Sequence, residues 1–227
     1  MADRATVIFD LDGTLVDSAP DLADALDALM AERGHAPIGL EHTRRLIGHG
    51  VADLVSGALT ARGEVLDAAA GAAAVQAFLR HYTPNLARRS RPYPQTVEVL
   101  TELAAEDWRL VVCTNKLESS ARKLLATLDL LRFFDLVAGP DTFGVAKPDP
   151  AHLLNCLPDG GAAIMIGDSE PDVLAAQAAR LPVIAVAWGY ARRPLEELTP
   201  DAIAYSMPEI PALVARLCPR HRAPDQE

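Results

Sequence analysis

From Val7 to Leu15 the chain reads Val-Ile-Phe-Asp-Leu-Asp-Gly-Thr-Leu, an apolar, β-prone run that delivers two carboxylates, two positions apart, to a Gly-Thr turn. Such a run predicts a strand buried on both faces. Comparable runs recur at Arg109–Thr114, Leu136–Ala138, Ala162–Gly167, Pro182–Ala187 and Ala202–Tyr205. Between them apolar residues take helical spacing, which predicts helices over 95–106, 118–129, 149–157, 170–180 and 208–217. Strand and helix in alternation predict an α/β fold, a doubly wound parallel sheet.

One block breaks the alternation. Ser18-Ala19-Pro20-Asp21 reads as a helix start, with Ser18 as N-cap and Asp21 in an acidic first turn, and Leu22, Leu26, Leu29 and Met30 follow at helical spacing up to Gly34. Further helices are expected at 41–47, 51–62 and 66–82, with no strand among them. Thr83-Pro84-Asn85 and the stretch from Arg88 to Pro94, rich in chain breakers and charge, read as the return linker. The expected organisation is a core domain of 1–15 and 86–218, an inserted helical domain of 16–85, and a polar tail of 219–227.

Half of the residues are hydrophobic and 5% aromatic, a mix dominated by Ala, Leu and Val that suits helices packed on a sheet. The formal charge of −10 excludes a general affinity for nucleic acid or anionic membrane, because no basic excess exists to neutralise phosphates. An anionic small substrate needs local cations or a metal. Cys113, Cys156 and Cys218 are odd in number and lack a CxxC spacing, which suggests neither a disulfide framework nor a zinc site. With no signal-peptide pattern and no apolar run of membrane-spanning length, a cytoplasmic protein, monomer or homodimer, is expected.

The candidate chemistry sits at strand ends. Asp10 ends a run apolar enough to be buried, where a carboxylate is costly unless paired or metal-bound. Thr114-Asn115 ends a second strand, Lys147 lies at a helix entrance between Ala146 and Pro148, and Gly167-Asp168-Ser169 ends another strand with Asp172 four residues after Asp168. Singly, each has an ordinary explanation: Asp12-Gly13 as a turn, Thr114 or Asp168 as a helix cap, Lys147 as a solvated charge, Asp172 as a partner of the helix dipole. Together they leave the carboxyl ends of one parallel sheet, where such folds place their sites. Carboxylates without nearby His or Cys form a hard, oxygen-rich site that suits Mg²⁺. A lysine and a hydroxyl beside them suit the oxygens of a phosphoryl group. There is no GxxxxGK[ST] loop and no Gly-x-Ser-x-Gly elbow.

The set Asp10-Leu11-Asp12-Gly13-Thr14, Thr114-Asn115, Lys147-Pro148 and Gly167-Asp168-Ser169 with Asp172 resembles the haloacid dehalogenase superfamily of phosphohydrolases. The resemblance implies a Rossmann-like core with a helical cap inserted after the first strand. It also implies Asp10 as nucleophile, Asp12 as acid and base, and Mg²⁺ held by Asp10, Asp168 and the Asp12 carbonyl, with Asp172 orienting the metal's surroundings. Thr114, Lys147 and the Asn115 backbone would bind the phosphoryl group. The acid at position 12 points to phosphatases rather than dehalogenases.

Leu46-Ile47-Gly48-His49-Gly50, Asp141 to Pro148 and Trp188-Gly189-Tyr190 are most similar to phosphoglycolate phosphatases within the superfamily. Phosphatases for other small esters, pyrophosphatases and phosphosugar mutases share the catalytic set, since substrate choice lives mostly in the cap. Gly48 and His49 are expected in a loop reaching over the phosphoryl site, with Arg45 as a candidate partner for a substrate carboxylate. A phospho-accepting regulatory domain is the reading from another class. The large helical insert, and a lysine that precedes the Gly-Asp motif, oppose it.

Overall fold

A computed structural model describes residues 4–157 and 161–219 of the chain. The chain opens with β1 (Thr6–Phe9), turns into the two-residue strand β2 (Val16–Asp17), and passes through α1 (Ala19–Glu32), α2 (Leu40–Arg44), α3 (Val51–Thr60) and α4 (Ala68–Tyr82). It returns through β3 (Arg91–Pro92) to α5 (Thr96–Ala105), β4 (Arg109–Cys113), α6 (Glu118–Thr127), β5 (Leu136–Ala138) and the short helices α7 (Pro140–Phe143) and α8 (Pro150–Leu154). Then come β6 (Ala163–Gly167), α9 (Glu170–Ala179), β7 (Val183–Val186), β8 (Ala202–Ala204) and α10 (Ile210–Leu217).

Six strands form one sheet in the order β5-β4-β1-β6-β7-β8, and every pairing is parallel. The expected α/β sheet with a helical insert is the observed fold. β1 is central: Phe9 lies in register with Val112 on one side and Ile166 on the other. The chain builds outward from β1 first toward β4 and β5, later toward β6, β7 and β8. The order therefore reverses at β1, and the crevice beyond its carboxyl end is the switch point where such sheets bind ligands.

The strands read as unbroken apolar runs because both faces are covered. Val7, Phe9, Val112 and Ile166 join a cluster with Leu100 and Leu103 of α5, Leu124 of α6 and Val214 of α10. Ile8, Val111 and Met165 pack on the other side with Leu153 of α8 and Val173 and Ala176 of α9. The first cluster does not stop at the sheet. It continues through Leu11, Leu15 and Leu22 into Leu26 and Phe78, so the insert shares a hydrophobic core with the sheet. Within the insert, α1 packs along α4 and α2, and α3 along α4.

The junction between core and insert differs from expectation. β2 and β3 pair as an antiparallel ribbon, Val16 with Pro92 and Asp17 with Arg91, too short to show a period in the sequence. Ser18 stands at the N-cap position of α1 but makes no side-chain cap bond; its hydroxyl donates to Asp12 Oδ1 at 2.5 Å. Asp21 is buried and accepts from the backbone N–H groups of Arg89 and Ser90 and from the Ser90 hydroxyl, at 2.6–3.0 Å. The segment read as a linker is thus fastened to α1. Helices expected to reach residues 47 and 157 end at Arg44 and Leu154. Of the tail expected at 219–227, residues 220–227 lie outside the described residues. Among the described residues no helix is long and apolar enough to cross a membrane, and all three cysteines are buried thiols.

Candidate active site

Beyond the carboxyl ends of β1, β4 and β6 the fold gathers the groups that the sequence singled out. Asp10 follows β1, and its Oδ1 accepts from Lys147 Nζ at 2.8 Å. The same ammonium donates to the Cys113 carbonyl at 2.6 Å and lies 2.7 Å from Asp172 Oδ1. The Lys147 side chain is 1% exposed. Burial alone would lower its pKa, but the Asp10 and Asp172 carboxylates override that and hold it well above the ordinary lysine value. A solvated surface lysine is therefore not what the sheet receives at this position.

Asp10, Asp168 and Asp172 each bring a carboxylate oxygen within 4.8 Å of the others, and all three are buried. Burial raises the Asp10 carboxyl to about 6, with Lys147 pulling it down and Asp172 and Asp12 pushing it up. Burial, then the neighbouring Asp172 and Asp10, push Asp168 well above the usual carboxylate range. Three clustered carboxylates with one ammonium among them leave an excess of negative charge in a largely buried place. A hard divalent cation fits such a donor set.

The cluster is held by a close mesh of backbone. Asp168 accepts from Tyr190 N at 2.6 Å and from the Thr14 hydroxyl at 3.2 Å. Gly13 has φ +95°, and a Cβ there would lie 2.4 Å from Asp168 Oδ2. At Gly167 a Cβ would stand 2.4 Å from the Asp172 side chain. Asp172 Oδ2 accepts from the backbone N–H and hydroxyl of Ser169 at 3.0 and 2.8 Å, so the cap of α9 is Ser169 rather than Asp168. One carboxylate both starts a helix and faces Lys147.

Asp12 stands apart from this cluster. Its carboxylate accepts from the Ser18 hydroxyl and from Lys116 Nζ, the latter at 2.8 and 3.0 Å. Lys116 was not among the residues picked from the sequence. It directly follows Thr114-Asn115 at the end of β4, the same kind of strand-end position that drew attention to Asp10 and Asp168. Its side chain is 7% exposed, and its Nζ lies 4.9 Å from the centroid of the Tyr82 ring. Burial would lower its pKa, but Asp12 and the Tyr82 phenol hold it above the ordinary lysine value.

Thr114 is buried at the pocket wall, and its Oγ1 accepts from Lys116 N at 3.2 Å. Asn115 acts as a staple: Nδ2 donates to the carbonyls of Gly48 and Lys147, both at 2.9 Å, and Oδ1 accepts from Lys147 N at 2.9 Å. Its side chain is thereby committed to structure. Gly48 and Gly50 line a pocket whose polar end is Asp10, Asp12, Thr114, Asn115 and Lys116. Its other walls include Leu22, Val51 and Leu54 from the insert. His49 is exposed and borders a separate, smaller cavity with Ser169 and Arg192. Arg45 is exposed and does not line the main pocket; its neighbour Arg44 pairs with Glu41 and Asp17.

A parallel sheet with a buried carboxylate triad at its switch point, beside an all-helical insert, is the architecture of a class of α/β hydrolase. The chain belongs to the haloacid dehalogenase-like hydrolases, whose family model matches residues 7–186. It is 39% identical to the phosphoglycolate phosphatase of Mesorhizobium japonicum over 204 residues, covering 88% of this chain and 90% of that one. Identity to the phosphoglycolate phosphatase of Caulobacter vibrioides is also 39%, over 225 residues, 97% of this chain and 95% of that one. Among solved structures, one described as a predicted phosphoglycolate phosphatase from Haemophilus somnus superposes with a TM-score of 0.85 at 27% identity, covering 94% of this chain and 99% of that one.

Proposed function

We propose that this protein is a Mg²⁺-dependent phosphomonoesterase that hydrolyses 2-phosphoglycolate to glycolate and inorganic phosphate through an aspartyl-phosphate at Asp10. The observation that carries this reading is the Asp10 carboxylate, buried at the pocket floor with one oxygen on Lys147 and the Asp168 and Asp172 carboxylates beside it. The names of the relatives support the choice of substrate.

An oxygen of Asp10 attacks phosphorus as the bond to the glycolate oxygen breaks, and Asp12 gives its proton to that oxygen. Water then attacks phosphorus, Asp12 takes the water's proton, and the bond to Asp10 breaks, restoring the carboxylate and freeing phosphate. Lys147, the Thr114 hydroxyl and the Asn115 backbone N–H hold the phosphoryl oxygens. Asp10, Asp168 and the Asp12 carbonyl would hold Mg²⁺, with Asp172 fixing its surroundings; the ion supplies positive charge to the phosphoryl oxygens and to the crowded carboxylates. Residues 16–85 serve as the cap over a core made of 1–15 and 86–218, in a monomer or homodimer of the reducing cytoplasm.

The test is hydrolysis of 2-phosphoglycolate with Mg²⁺, with excess chelator, and by Asp10→Asn. Removing the nucleophile is expected to lower kcat by about a thousand-fold or more, and chelation to abolish turnover. Turnover that survives either change overturns the assignment. The relatives that share the catalytic set act on esters of different size, so a panel of phosphate esters of increasing size belongs in the same experiment.

A further inference from the structure

The main pocket contrasts an acidic floor with apolar walls, and Lys116 is the one cation among its lining residues. A second polar group is aimed at the same place. Tyr82, at the end of α4, lines the pocket and is 2% exposed, and its buried hydroxyl, which the Lys116 ammonium approaches, has no acceptor for its own proton. A buried donor left unpaired is costly, and such groups in native structures call for an explanation. Lys116 and Tyr82 come from different parts of the fold, just after β4 and the end of α4 in the insert, with Lys116 Nζ 4.9 Å from the centroid of the Tyr82 ring.

We infer that Lys116 and the Tyr82 hydroxyl together form the subsite for the substrate's carboxylate, and that they select phosphate esters of 2-hydroxy acids. The inference rests on the phosphatase reading above. Geometry supplies the selection. As the acid, Asp12 must come within hydrogen-bond reach of the leaving oxygen, and Lys116 Nζ lies 2.8 and 3.0 Å from its two carboxylate oxygens, so the ammonium falls within about 6 Å of that oxygen. A carboxylate one carbon away from the ester oxygen occupies that gap; one several carbons away overshoots it. The ammonium has three donors, enough to serve Asp12 and an incoming carboxylate together, and the Tyr82 hydroxyl gains the acceptor it lacks. Arg45, exposed outside the pocket, is not needed for this contact.

The readout is the ratio of kcat/KM for 2-phosphoglycolate to that for ethyl phosphate, which has the same short chain without the carboxylate. A ratio is insensitive to the fraction of correctly folded enzyme. Tyr82→Phe, which removes one oxygen, is expected to lower the ratio about ten-fold, and Lys116→Met about a hundred-fold, through KM for 2-phosphoglycolate. Binding of 2-phosphoglycolate to Asp10→Asn, followed by calorimetry with Tyr82 intact and with Tyr82→Phe, is expected to weaken by a similar factor. Ratios that stay at the parent value in both variants overturn the subsite and leave the phosphatase reading standing. If the parent hydrolyses neither ester, the phosphatase reading fails, and calorimetry decides the subsite: unchanged affinity in Tyr82→Phe overturns it.

Discussion

Asp10 concentrates the tension of this protein in one side chain. Burial raises its carboxyl from 3.8 to about 6, although an ammonium lies 2.8 Å away. Because the folded-state value exceeds the unfolded one, the stability contributed by Asp10 is fully present below about 3.8 and is lost as pH rises through about 6. Chelator-treated Asp10→Asn, which never carries the charge, should therefore melt above the parent near pH 7.5, by roughly 2–4 °C per kcal/mol regained. The gap should close near pH 5, where the parent carboxyl is protonated too; a gap of equal size at both pH values counts against the burial argument. The charged end of an apolar strand was legible in the sequence. Lys116 was not, because its importance depends on Asp12, 104 positions away in the chain.

At the scale of elements, the junction between sheet and insert is the instructive case. A stretch of breakers and arginines looks like a loose linker, yet β3 pairs with β2, and Asp21 satisfies two backbone N–H groups and a hydroxyl across the junction. Local sequence gives Asp21 a helix-start role because aspartate suits that position in any helix. Its actual partners are 68 and 69 residues distant. Asp21→Ala leaves these donors buried and unpaired, and should cost about 2–4 kcal/mol in urea unfolding. A loss near zero would show that water replaces the carboxylate. The long helices and the strands needed no such help, since their periods declare them over many residues.

Across the whole molecule, two further kinds of contact, besides the ties at the junction, join the insert to the core. One is apolar, the cluster that runs from β1 through Leu15 and Leu22 to Phe78. The other is polar and lies over the site, where Asn115 donates to the Gly48 carbonyl and Arg192 to the Ile47 carbonyl at 3.2 Å. Because Arg192 enters from the loop after β7, its tie spans core and insert. Arg192→Ala should speed amide hydrogen exchange in residues 46–50 while leaving β1, β4 and β6 protected. Unchanged exchange in that loop would show that Asn115 and the apolar seam fix it without Arg192.

The sequence by itself determined the parallel sheet, the helical insert and the motifs that make up the candidate site, because these follow from periodicity and from polar residues at the ends of apolar runs. It also carried the superfamily resemblance, since four motifs in order along one chain are local features. Only the tertiary structure decided which cation enters the pocket, what Ser18 and Asp21 bind, and that Arg45 stays outside. Those outcomes depend on contacts between distant segments, and the free energy of a buried charge or hydroxyl is set by the partner that the fold brings to it.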